Sequence, residues 1–183
     1  RLRRPLTWIL VVIQGLLTFW TNLATYEAGN ELFNGPVRLA GGAAIAGMAG
    51  ILISAAVFGD AALRDFQAEM DPLLFTSRLS KTEYLTGRFL AALAINILVL
   101  LAIPVTQFLI AQLPFIKPEM LGPFRLAAFV QPFILLLLPN VFFVGAILFT
   151  IAALGRQTIP VYLGAIGIFV AYLVAVNNLT GPD

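Results

Sequence analysis

Nine of the chain's twenty charged residues fall between Asp60 and Arg88, and that stretch holds the side chains best suited to polar chemistry. Arg64, Asp65, Glu69, Asp71, Arg78, Lys81 and Glu83 mix both signs over twenty residues. Such a set either solvates a helix or meets a charged partner. Its acidic residues match no calcium-loop spacing, so a metal site is not expected. The sequence contains no His and no Cys. That removes the commonest metal ligand and general base, every disulfide and the familiar Ser–His and Cys–His nucleophile pairs. No G-x-x-x-x-G-K-[ST] loop is present to cradle the phosphates of ATP. The expectation is a chain with no catalytic residue, no metal and no cofactor of its own.

A second polar set is uncharged and lies inside apolar runs. Gln14, Thr18 and Asn22 recur at i, i+4 and i+8, one stripe of a helix; Asn96, Thr106 and Gln107 share a later run, and Gln131 and Asn140 the one after. Uncharged polar groups within a membrane either bridge packed helices, at about 1 kcal/mol each, or line a path for a solute. Gln14, Asn22, Asn96, Gln107 and Asn140 are the candidates for both roles. No ionisable residue falls at mid-run, which argues against a proton-coupled carrier. Gly42, Ala46 and Gly50 form a small-xxx-small stripe, which permits close helix approach.

The elements that position these residues follow from composition. The chain is 60% hydrophobic and 11% charged, with a mean hydropathy of +0.96. A water-soluble domain carries about 25% charged residues. The charge-free runs each exceed the ~20 residues needed to cross a bilayer, and an isolated apolar run must satisfy its own backbone as a helix. The predicted fold is an all-α polytopic transmembrane helical bundle. It has about five spans, at 5–26, 37–59, 84–113, 124–154 and 158–178, plus an amphipathic cytoplasmic helix between spans two and three. The first apolar run is too long for a cleaved signal. Pro132 and Pro139 predict one bent fourth span.

Within 60–83, Leu63, Phe66 and Met70 recur at helical spacing. Asp71-Pro72 reads as a stop and restart. Ser80-Lys81-Thr82-Glu83 matches a capping box, which starts the next helix near Lys81. Basic residues favour cytoplasmic loops: Arg1, Arg3, Arg4, Arg64, Arg78, Lys81, Arg88 and Arg156 fall on one side, and Arg38, Lys117 and Arg125 on the other. The chain is therefore expected as a multi-pass protein of the cell (cytoplasmic or inner) membrane with a cytoplasmic N-terminus. Its formal charge of +2 gives no reason to expect nucleic acid.

Ala62-Leu63-Arg64-Asp65, the run from Leu73 to Leu85 and Gly87-Arg88-Phe89 together resemble the permeases of type-2 ATP-binding-cassette exporters. In that family a charged helix, a T-S-P-hydrophobic-S-K/R turn and a Tyr-Leu-x-Gly-Lys/Arg segment lead into the third span; Arg78 stands where many members have proline. Leu121-Gly122-Pro123-Phe124-Arg125, Leu138-Pro139-Asn140 and Pro160-Val161-Tyr162 resemble a subgroup sometimes fused to a zinc aminopeptidase-like domain. The resemblance implies a permease whose segment 60–83 contacts a separate nucleotide-binding ATPase through Arg64, Asp65, Glu69, Asp71, Arg78, Lys81 and Glu83. ATP and Mg would be held by that partner, and a second permease half or a homodimer partner would complete the exporter. It also implies a sixth span beyond Asp183. Two alternatives stand beside it: a secondary transporter or channel, and a non-transporting membrane anchor for an extramembrane enzyme.

Overall fold

The computed structural model describes residues 5–25, 32–67, 80–114 and 116–180. Among these there is no strand. Helix α1 is Pro5–Ala24, α2 Pro36–Gln67, α3 Lys81–Leu100, α4 Ala102–Ala111, α5 Leu126–Pro132, α6 Leu138–Gly155 and α7 Thr158–Thr180. Five helical stretches are long and apolar enough to cross a membrane: Pro5–Ala24, Pro36–Arg64, Thr82–Ala111, Leu126–Gly155 and Thr158–Asn178. These are the five runs expected from hydropathy.

The burial pattern of α1 shows which solvent the fold suits. Its buried residues are all polar: Thr7, Gln14, Thr18 and Asn22. Its large apolar side chains point outward, with Val12, Leu16 and Trp20 at 59%, 62% and 70% exposure. A helix on a water-soluble core shows the opposite arrangement. Helix α7 extends the pattern, burying only Val161 and Ala165 among its described residues. The bundle is a transmembrane one.

Proline shapes two of the spans. Pro104 cannot donate to the Leu100 carbonyl and its ring crowds that oxygen, which disturbs the third span only locally: Leu101 keeps an α-helical backbone and its N–H reaches Ile97 O at 2.9 Å, so α3 runs on into α4. In the fourth span, Pro139 stands in the same relation to Leu135. Just before it, Phe133–Leu137 widens into a π-helical turn in which the Leu138 N–H reaches back to Phe133 O. The run Leu126–Gly155 stays helical throughout, so it forms the single fourth span that the sequence predicts.

Helix α2 departs from the expected boundary. At 32 residues it extends about 48 Å, well beyond a ~30 Å hydrocarbon core. Ala61–Gln67, predicted as the start of a surface helix, is its continuation: Gly59 does not take the left-handed conformation with which a glycine ends a helix, and no proline follows it before Gln67. The rest of that predicted helix lies outside the described residues.

The chain divides into two compact units. One comprises Arg1–Gly50 and Ile97–Asn140, the other Ile51–Asn96 and Val141–Asp183. In the first unit, Phe33, Ile110, Ala111 and Ile116 form a buried cluster between the loops. Asn34 ties those loops together, donating from Nδ2 to Gly122 O (2.8 Å) and accepting from Gly122 N at Oδ1 (2.7 Å). In the second unit Phe58 stacks on Phe89 at 5.6 Å, and Phe89 meets the edges of Phe142 and Phe149.

Candidate functional site

In the first unit the polar stripe of α1 faces inward and is closed. Gln14 Nε2 donates to Ala46 O and Gln107 Nε2 to Leu39 O, both at 3.0 Å, so α1 and α4 are each pinned to a backbone carbonyl of α2. Thr18 Oγ1 donates to Gln14 O, and Asn22 Nδ2 to Thr18 O, each at 2.8 Å. The small residues of α2 make these approaches possible. A Cβ on Gly42 would stand 3.0 Å from both Asn22 Oδ1 and Gln107 Nε2, and one on Gly50 3.1 Å from Gln14 Oε1. The small-xxx-small stripe therefore serves packing within the chain. Gln14 Oε1 is buried without a donor. The bonds of Gln14, Thr18, Asn22 and Gln107 join uncharged groups, so their chemistry is hydrogen bonding; at the end of α1, Arg38 Nη2 of α2 donates to Thr25 O at 2.6 Å.

In the second unit Asn96, fully buried, donates from Nδ2 to Ser54 Oγ at 2.7 Å, and its Oδ1 has no donor. Asn140, the last of the five uncharged candidates, is half-buried and takes part in none of these bonds. Gln14, Asn22 and Gln107 are thus brought together; Asn96 belongs to a separate pair.

The charged end of the second unit is built on a clasp. Arg88 donates from a guanidinium nitrogen to Ala61 O at 2.7 Å and lies over the Tyr84 ring at 5.2 Å. One turn away, Arg64 and Asp60 form an i,i+4 ion pair, the kind that adds a few tenths of a kcal/mol to a helix. A cavity of about 190 Å³ lies between α2 and the start of α7, with Asp60, Thr158 and Tyr162 on its polar side. Asp65 and Lys81 fall on helices, but their side chains lie outside the description, and Glu69, Asp71 and Arg78 lie outside the described residues altogether.

The capping box forms as its sequence predicts. Ser80 N donates to Glu83 Oε2 at 3.0 Å, Glu83 N donates to Ser80 Oγ at 3.3 Å, and Ser80 Oγ donates to the same carboxylate at 2.6 Å. Glu83 lies in the first turn of α3, ahead of the apolar run that opens at Phe89. The Ser80 hydroxyl, and then its backbone N–H, hold the Glu83 carboxyl below its ordinary value of 4.5. A lowered folded-state pKa stabilises above the unfolded value and the gain is lost as pH falls through the folded one. Acidification below about 4.5 should therefore fray the start of α3, and Glu83→Gln should flatten that response. Amide exchange at Tyr84 and Leu85 against pH measures it; identical profiles in the two proteins would exclude the cap as the cause.

No protein-family model, curated protein or solved structure matches this chain. The site must therefore be read from its own geometry. Two features had no sequence signal, the Arg88 clasp on Ala61 and the seat of Phe58 on α6, since each pairs residues far apart in the chain. An arginine at the edge of an apolar run could have signalled the need for a partner, though not which one.

Proposed function

We propose that the chain is the membrane-spanning permease subunit of an ATP-driven exporter, with segment 60–83 receiving force from a separate nucleotide-binding ATPase in the cytoplasm. The observation that carries this reading is the continuity of α2 through Asp60 to Gln67. A load applied at the charged end reaches the membrane through an unbroken helix. That helix is fastened to α3 by Arg88 on Ala61 O and by the Phe58–Phe89 stack, so spans two and three would move together. The resemblance of 62–89 to type-2 exporter permeases supports the same assignment. ATP and Mg belong to the partner, and a second permease half completes the transporter.

Copurification of an ATPase with the membrane protein, followed by nucleotide-dependent transport in vesicles, tests the assignment. Combined reversal at Arg64→Glu, Asp65→Lys and Glu69→Lys should lower ATP-driven transport roughly tenfold, within the range of coupling between distant sites, while helix content stays unchanged. Normal transport by the triple variant would end the lever reading. A secondary transporter is the second reading, favoured by the π turn at Phe133–Leu137, since irregular helices mark solute sites in such carriers. Transport that ignores nucleotide but follows an ion gradient would select it.

A further inference from the structure

We infer that the cavity between α2 and the start of α7 binds the primary ammonium of a phosphatidylethanolamine headgroup. The site is independent of the exporter reading. Helices α2 and α7 approach closely at Gly59, where an added Cβ would lie 3.4 Å from Val161 Cγ1. Beside that contact the short side chains of Ala55 and Ala56 leave a space of about 190 Å³, and Asp60, Thr158 and Tyr162 complete its wall. These three polar side chains all end in oxygen. Arg64 engages Oδ2 of Asp60, and among the described residues no donor reaches Oδ1 or the hydroxyls of Thr158 and Tyr162. A primary ammonium brings three N–H donors to three such acceptors.

Charge and position select the source of that ammonium. Among the described residues Asp60 is the one charge on the wall, so the cavity favours a cation. Arg64 lies one turn further along α2, and among the described residues its guanidinium meets no acceptor besides Asp60. It is therefore left with N–H groups for the phosphate that follows the ammonium. The pair presents minus and plus one turn apart, the complement of a zwitterion. A choline headgroup has the same two charges but no N–H, and it would leave the three oxygens without a donor. Lipid borders the cavity. Asp60 and Thr158 stand at the ends of stretches that cross the bilayer, and Tyr162 is about 6 Å along α7 from Thr158, the level at which tyrosine meets headgroups. Ile159 and Leu163, 70% and 63% exposed, flank it on α7. They face the acyl chains of whatever lipid lies there.

The chain has no cysteine, so one introduced thiol reports alone. Full-length chain carrying Leu163→Cys is labelled with a small fluorophore and reconstituted in phosphatidylcholine vesicles. These contain a trace of lipid with a doxyl quencher on its acyl chain and a headgroup of ethanolamine, its N-methyl or N,N-dimethyl form, or choline. All four are zwitterions, and the series removes N–H donors one at a time. The ethanolamine lipid should quench about fivefold more per mole than the choline lipid, the equivalent of one net hydrogen bond, with the methylated lipids falling in order between them. At Ile9→Cys, exposed near the start of α1 as Leu163 is near the start of α7, the four should quench equally. Tyr162→Phe or Asp60→Asn, each combined with Leu163→Cys, should reduce the preference to below about twofold. Tyr172→Phe, the same change further along α7, should leave it intact. Equal quenching by the ethanolamine and choline lipids, the same preference at Ile9, or a preference untouched by both cavity substitutions would overturn the site. Free ethanolamine should not lower the preference; if it does, the amine comes from solution and the lipid assignment falls.

Discussion

Gly145→Ala is expected to destabilise the folded bundle by about 2–3 kcal/mol, in the upper part of the range for overpacked cores. A methyl group there would lie 2.3 Å from Cζ of Phe58 and 2.5 Å from its Cε2. In most helices this exchange gains up to ~1 kcal/mol of propensity, so the clash must outweigh a favourable term. Phe58 cannot swing aside. It is fully buried and stacked on Phe89, which is itself held by Phe142 and Phe149. Gly47→Ala supplies the control. Its methyl would approach Leu137 Cδ2 at 2.7 Å, but that atom ends a flexible side chain, and the cost should stay below about 1 kcal/mol. Phe58→Leu should restore much of the stability lost in Gly145→Ala, giving a coupling on the order of 1–2 kcal/mol between the two positions. Reversible unfolding in mixed micelles of the parent, the three single variants and the Gly145→Ala/Phe58→Leu double variant measures these costs. Equal costs for the two glycine substitutions would show that the aromatic stack yields and that Phe58 does not hold α2 rigidly against α3.

The bundle was legible because the signals that set it are local. Twenty charges in 183 residues rule out a watery surface, and the unbroken apolar runs fix five spans. Ser80 and Glu83 stand three residues apart, so their reciprocal cap could be read before any contact was known. The inward stripe of Gln14, Thr18 and Asn22 was legible for the same reason, since helical spacing alone puts the three on one face. Their partners were not. Gln14 bonds the carbonyl of Ala46 and Gln107 that of Leu39, and every residue carries a carbonyl, so sequence offers no preference among them. The end of α2 was misplaced because a change from apolar to charged residues marks the edge of the membrane, whereas a helix ends only where its backbone is interrupted. Pro104 went unweighed beside Pro132 and Pro139, although its geometry relative to Leu100 is that of Pro139 relative to Leu135.

The two polar readings of the seam make different demands on Gly42. If the groups hold helices together, they require close approach and nothing else. Both amides are fixed, Asn22 by Thr18 O and Gln107 by Leu39 O, and a Gly42 methyl at 3.0 Å from each would force one or both to move. Gly42→Val adds two further carbons to a site that already lacks room for one. It should cost about 2–3 kcal/mol, with the Gln107 bond, worth about 1 kcal/mol, among the losses. Gln107→Ala alone should cost about 1 kcal/mol. Made in the Gly42→Val background it should cost nothing further, because the bond has already been broken. That non-additivity, measured by unfolding in micelles, marks a seam whose groups act through packing. Full additivity would mean that Gln107 keeps its hold on Leu39 despite the added bulk. The helices would then part easily at this level, as a solute path between them requires.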